Sequence, residues 1–215
     1  MLLFSKSKSR TVHHYHDERE KDSTGDGGDE AASTSLTVWT KSLVFSCTGF
    51  TVIASDGALA YRVDNYTGRP GQTVLMDGSG NPIFTIRRRK KLGLLDYWLV
   101  YEGEVCKYSN KEKIKPVFCV RKNISLRQTK VDDVVAYVYC GMSEKRCMYV
   151  IKGSFTHRSC KILDESARVV ADIKKKEAMP EGASFGLEVF HLIIKPGFHC
   201  RFAMAIVLLL DQMYS

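Results

Sequence analysis

From Leu36 onward, apolar and polar positions alternate in short runs, and turn residues separate the runs. Thr51-Val52-Ile53 leads into Ser55-Asp56-Gly57, and Leu59–Val63 follows. Thr73–Met76 leads into Asp77-Gly78-Ser79-Gly80-Asn81-Pro82, and Ile83–Arg87 follows. Period-two runs on both sides of an Asp-Gly pair predict a hairpin, because the turn needs residues that tolerate positive φ. The same texture recurs over Tyr97–Tyr101, Val117–Val120, Val134–Cys140, Cys147–Ile151, Cys160–Leu163, Val169–Ile173 and Leu187–Ile194. About eleven or twelve strands at this spacing predict a barrel or a sandwich.

The last element breaks the pattern. Phe202-Ala203-Met204-Ala205-Ile206-Val207-Leu208-Leu209-Leu210 is apolar on every side of a helix, and Pro196-Gly197 ends the strand before it. A helix of this kind is buried in protein or in lipid. Residues 201–214 would span about 21 Å at ~1.5 Å per residue, whereas a bilayer core asks for about 20 apolar residues. A transmembrane span is therefore not expected. Arg201 at the start and Asp211 near the end oppose the helix dipole, so packing must stabilise the helix. A closed sheet of about eleven strands is wide enough to hold a helix on its axis. The fold expected is mainly β: a roughly 12-stranded closed antiparallel β-barrel enclosing a hydrophobic C-terminal α-helix. Phe202, Ile206, Leu208 and Leu209 are its central structural residues.

A weak internal repeat fits a barrel. Met76-Asp77-x-Ser79, Ile86 and Arg87-Arg88-Arg89 return as Leu163-Asp164-x-Ser166, Ile173 and Lys174-Lys175-Lys176. Each copy reads as strand, polar turn, strand and basic end.

Composition adds a tail and a charge. Residues 1–34 are polar and of low complexity, and a segment such as Asp22–Glu30 cannot bury enough surface to offset its ordering entropy. They are expected to form a disordered tail ahead of a domain over 35–215. The tail holds five basic and seven acidic residues, so the +8 of the whole chain becomes +10 over the remainder. Seven cysteines, none spaced as CxxC and several among apolar neighbours, read as reduced thiols in an intracellular protein. Met1-Leu2-Leu3-Phe4 is too short for the apolar region of a signal peptide. Neither a myristoylation nor a prenylation signal is expected.

Five segments then resemble a known family: Phe50-Thr51-Val52; Tyr61-Arg62-Val63-Asp64-Asn65-Tyr66; Leu75–Pro82 with Thr85-Ile86-Arg87-Arg88; Leu94–Gly103; and Ala205–Asp211. Together they are similar to the plant LURP-one-related family, from about Leu36 to Tyr214. The resemblance implies a tubby-C-terminal-like fold, twelve strands around a hydrophobic helix, distantly related to the phospholipid scramblases. It implies no catalytic motif. It suggests a membrane-tethered transcription regulator or lipid binder linked to plant defence.

The residues offer one candidate site. Arg87, Arg88, Arg89, Lys90 and Lys91 follow directly on a strand, and Lys174, Lys175 and Lys176 repeat the feature. If these strand ends lie together, they form a patch for an anionic lipid headgroup or a nucleic acid. The bland reading, a solvated rim that keeps the protein soluble, accounts for most of them. Lys111, Lys113, Lys115, Arg121 and Lys122 add to the charge.

His13-His14-Tyr15-His16-Asp17 would hold a metal too weakly to matter, because ordering the tail costs entropy. Asp77–Asn81 has one carboxylate, too few for calcium. Neither metal nor cofactor is expected. No nucleophile elbow, P-loop or dinucleotide fingerprint occurs in a strand-to-helix setting. The expected function is a non-enzymatic binding module for acidic phospholipid or a protein partner, acting as a monomer. A nucleic-acid binder using Tyr97, Trp98 and Tyr101 for stacking is the alternative. An enzyme with its site in the barrel ranks last.

Overall fold

The computed structural model describes residues 32–45, 47–65, 71–90, 96–105, 114–123, 133–142, 146–177 and 185–214. All fall in the compact unit Ala31–Ser215. Residues 1–31 of the expected polar tail, its histidines, Lys91, Lys111 and Lys113 lie outside the described residues; residues 32–34 are described, and Thr34 already belongs to the first strand.

Alternation drives the strands. In Val189–Ile194, Phe190, Leu192 and Ile194 are buried while the residues between them are partly exposed, as period two requires when one face meets the core. Twelve such strands follow in order: β1 Thr34–Trp39, β2 Thr48–Ala54, β3 Leu59–Asn65, β4 Gln72–Asp77, β5 Pro82–Lys90, β6 Asp96–Glu102, β7 Phe118–Lys122, β8 Val134–Cys140, β9 Cys147–Ser154, β10 Ser159–Leu163, β11 Val169–Lys175 and β12 Val189–Ile194. Each pairs antiparallel with its chain neighbour, and β1 pairs with β12 to close the barrel. Closure leaves no free sheet edge. The strand β1 is absent from the runs legible in the sequence, and the last strand begins at Val189, after an exposed Leu187.

The helix α1, Cys200–Tyr214, fills the axis. Ala203 through Leu210 are buried without exception, among them Ile206, Leu208 and Leu209. They join one core with inward residues such as Val38, Val52, Leu75, Ile86, Trp98, Phe118, Ile151 and Leu192. The helix starts where Gly197, at φ +83°, turns the chain. The His199 carbonyl accepts from the amides of Phe202 and Ala203, both at 3.0 Å. Phe202 is not fully buried. It sits at the barrel mouth with its ring 4.3 Å from Phe118 and 5.5 Å from both Tyr149 and Phe198.

An all-antiparallel ring gives the barrel two distinct ends. Odd-numbered strands finish at one end and even-numbered strands at the other. The chain leaves β12 at the second end, so α1 starts there and runs back to the first. Contacts agree with this direction. Near the helix start, Phe202 meets Phe118 at the beginning of β7. Near its finish, Gln212 Nε2 donates to Thr73 Oγ1 at the beginning of β4, at 2.7 Å. Lys122 Nζ, at the finish of β7, donates to the Met213 carbonyl at 2.9 Å.

The repeat has a structural counterpart. Its copies are the hairpins β4–β5 and β10–β11, six strands apart in a ring of twelve. In both, the aspartate caps its own turn. Asp77 Oδ1 accepts from the Asn81 amide, and Asp164 Oδ1 accepts from the amides of Ser166 and Arg168.

Candidate functional site

Most strand ends at the helix C-terminal end share one property. Odd-numbered strands other than β3 finish on or near a cation: Lys41 after β1, Arg88–Lys90 in β5, Arg121 and Lys122 in β7, Lys152 in β9, Lys174 and Lys175 in β11. Arg62 lies in the middle of β3 and is held by Asp64. The two runs singled out from the sequence stand at this same end but on β5 and β11, on opposite sides of the ring. They do not form one compact patch. They are arcs of a crown.

Within that crown the side chains do different work. Arg87 points outward from β5. Its Nη2 donates to the Val105 carbonyl at 2.7 Å and its Nε to Gln72 Oε1 at 3.2 Å, and it lies over Tyr101. It is a clamp on the segment after β6 rather than a free cation. Arg88 lies 5.3 Å over the ring of buried Trp98. Arg89, Lys174 and Lys175 are exposed. Lys176 rests 4.6 Å over the Phe185 ring. Lys90 contributes its backbone to β5, and its side chain lies outside the described residues. Lys122 caps the helix and sits 4.2 Å over Tyr214. A cation there suits the negative pole of the helix, a role the sequence did not reveal.

Among the described residues, three buried side-chain nitrogens lack a hydrogen-bond partner: Trp98 Nε1, Arg158 Nη1 and His191 Nδ1. All three residues stand toward this end. Arg158 adopts φ 52° and is wedged 4.3 Å over Phe155 and 4.4 Å over Phe190. Burial lowers its pKa. Burial also pulls the His191 imidazole below its usual range, and Lys176 adds to the effect. Acids thin the crown in places: Asp133, Glu177 and Glu188 are exposed there. Asp64 is already held by Arg62 and by the Ser42 hydroxyl.

Among the described residues the opposite end mixes its charges, with two ion pairs beside exposed Lys115 and Lys195. Arg146 donates to both oxygens of Glu165, at 2.7 and 3.0 Å, and Arg168 pairs with Asp164 at 2.8 Å. Two depressions open here. One of about 320 Å³ is lined by Phe84, Tyr149, Phe198, Phe202, Glu102 and Arg201. The other, about 520 Å³, lies beside Arg146, Cys147, Asp164 and Glu165. Phe84, Tyr149, Phe198 and Phe202 close the mouth, a cluster that sequence reading missed because its members come from three segments distant in the chain.

The other expectations meet mixed outcomes. Cys119 and Cys160 are buried, and burial pushes the Cys160 thiol up to about 12. Cys140, expected to pack, is exposed because it ends β8. Trp98 is buried and cannot stack on a base. Tyr101 lies under Arg87, and Tyr137 and Tyr139 lie under Arg121. Among the described residues no cluster of His, Cys, Asp and Glu could hold a metal ion. Among them, too, no helix is long and apolar enough to cross a membrane.

Comparison with known proteins agrees with this architecture. Residues 34–211 match the LURP-one-related family model. LURP-one-related protein 17 of Arabidopsis thaliana is 45% identical, with 100% of each chain covered. LURP-one-related protein 8 of the same plant is 44% identical over 86% of this chain and 90% of its own. An X-ray structure of a further Arabidopsis thaliana protein superposes with a TM-score of 0.59 at 22% identity, covering 85% of this chain and 92% of that one. That likeness speaks to the fold. The matched span includes all twelve strands and the greater part of the helix, and the chain belongs to the LURP-one-related family.

Proposed function

We propose that this protein is a non-enzymatic binding module that docks end-on against acidic phospholipid surfaces. The observation that carries the reading is the contrast in charge between the barrel ends. One end mixes acids with cations, two of the acids in ion pairs, and the other presents a crown of cations around the helix terminus. A crown spread around a ring suits a flat anionic surface better than a single small ligand. Each Lys or Arg near such a surface contributes about 1 kcal/mol, less as salt rises. The helix fills the axis where a substrate site inside the barrel would have to lie. Reversible attachment of this kind fits a membrane-tethered regulator of transcription, the role in plant defence that the family resemblance suggests. The arginine-covered tyrosines make nucleic acid the weaker reading, since bases stack on open rings.

The test is co-sedimentation of the full chain with vesicles of neutral lipid, phosphatidylserine or phosphoinositide, at low and physiological salt. The triple variant Arg89→Glu/Lys174→Glu/Lys175→Glu is expected to lose about 100-fold or more in partitioning to acidic vesicles at low salt. Lys115→Glu/Lys195→Glu, which alters exposed lysines at the other end, is expected to bind nearly as the native chain does. Equal binding by both variants would remove the crown as the docking surface.

A further inference from the structure

The loop between β1 and β2 rises from the same end as the crown, and it carries apolar side chains into solvent. Phe45 is 96% exposed and Leu43 57% exposed, and Trp39 stands at the base of the loop. An exposed apolar residue on its own needs no explanation. Here three of them cluster on seven residues of chain, at the end of the barrel that is rich in cations. Leu187 and Tyr214 are also exposed at this end.

The loop is held in shape rather than left to collapse. The Ser42 hydroxyl donates to Asp64, whose other carboxylate oxygen takes the Arg62 guanidinium, with Nε at 2.8 Å. The Val44 amide donates back to Ser42 Oγ at 3.0 Å, and the Cys47 amide to the Val44 carbonyl at 3.2 Å. Thr51 Oγ1 donates to the Lys41 carbonyl at 2.7 Å. The base of the loop is therefore fixed to β2 and β3, and its tip presents Leu43 and Phe45. Pre-organisation of this kind lowers the entropy lost on binding. Lys41 sits 5.6 Å from the Trp39 ring, an aromatic-and-cation pair of the sort that favours the headgroup layer.

We infer that Leu43 and Phe45 form a membrane-inserting apex: they enter the acyl boundary of an acidic bilayer while Lys41, Arg89, Lys174 and Lys175 meet the headgroups around them. The proposal rests on the end-on docking described above and adds to it a contribution that salt does not screen. Apolar burial grows with area removed from water and is insensitive to ionic strength, whereas the crown's attraction is not. Interfacial elements bury apolar faces about 5–10 Å into the boundary of headgroups and chains.

The experiment uses the full chain and phosphatidylserine vesicles, with and without brominated acyl chains. Trp39 and Trp98 are the two tryptophans, and Trp98 is buried in the barrel, so it supplies a constant background. Binding to brominated vesicles is expected to quench Trp39. A Phe45→Trp reporter is expected to be quenched more strongly. Leu43→Ser/Phe45→Ser is expected to keep its melting temperature and to lose about tenfold or more in partitioning. Its remaining binding should disappear at physiological salt, while that of the native chain persists. Native binding without quenching, and unchanged in the double serine variant, would overturn the insertion and leave docking by charge intact. No binding of the native chain to acidic vesicles would overturn both.

Discussion

The two ends of this barrel are built from the same twelve strands and treat charge in opposite ways. At the helix N-terminal end, pKa shifts record contacts that favour ionised carboxylates. The Asn81 side chain holds Asp77 below its usual range, the Arg168 amide does so for Asp164, and Arg146 does so for Glu165. At the helix C-terminal end, the shifts in Arg158 and His191 record desolvation of cations. Unpartnered buried nitrogens gather there too. Buried polar groups normally find partners, so an end that leaves several without one is not optimised for stability alone. Local rules tend to break where function is placed. The contrast teaches where to look: the aromatic mouth closes one end of the barrel, and the proposed docking surface is assigned to the end that leaves polar groups unsatisfied.

The most severe way to break the comparison is to remove both ends together. Leu208 is buried near the middle of α1. Leu208→Asp would place a carboxylate among apolar residues with no cation to meet it, which costs several kcal/mol or more. The expected outcome is a chain without a cooperative melting transition. Leu208→Ala is expected to fold with a loss of about 2–5 kcal/mol, read by denaturant titration. A soluble, fully stable Leu208→Asp protein would mean that the helix does not occupy the core.

A gentler change separates the ends. Phe202→Ala removes the ring that meets Phe118, Tyr149 and Phe198 at the closed mouth. Large aromatic truncations in cores cost about 3–5 kcal/mol, and Phe202 is only partly buried, so about 2–3 kcal/mol is expected. Lys122→Ala removes the cap on the Met213 carbonyl and the contact with Tyr214, at about 1 kcal/mol. Vesicle binding should discriminate between them. The Phe202 variant is expected to bind as the native chain does despite its larger loss of stability, and the Lys122 variant to bind more weakly. The reverse pattern in vesicle binding would mean that the closed mouth, not the crown, faces the lipid.

How much of this was legible follows from the range of each interaction. Eleven strands could be read because alternation is local. Strand β1 could not, since Thr34, Ser35 and Thr37 make it polar and its inward residues Leu36 and Val38 acquire meaning from β2 and β12. The helix was legible from composition alone, because an all-apolar segment has few places to go. The cations of the crown were legible as residues but not as a ring, since strand closure decides where β5 and β11 stand. Arg87, Arg88 and Arg89 look interchangeable in sequence. They diverge because Val105 and Trp98 approach the first two from other parts of the chain. Phe45 was not legible at all: one phenylalanine reads the same whether it is core or apex, and the anchoring of Ser42 to Asp64 decides it.

The smallest effect concerns pH: both ends lose stability as pH falls, each in its own window. His191 has a folded pKa below its ordinary value, through burial first and Lys176 second. Lys174 and Thr37 lie opposite it in register on the flanking strands. The unfolded chain therefore takes up a proton before the folded one, and stability falls as pH drops below the ordinary histidine value of about 6.5. The carboxylates of the other end act in a lower window. Their depressed pKa values keep their contribution present above the ordinary carboxylate range of about 4, and it is lost only as pH falls through the folded values. Melting curves between pH ~7.5 and ~5.5 should thus show a modest decline that His191→Gln flattens, with the steeper acid loss below pH ~4 unchanged. A His191→Gln protein that declines as the native one does would move the neutral-range titration away from the crown. In that case desolvation at β12 would not be what separates the two ends.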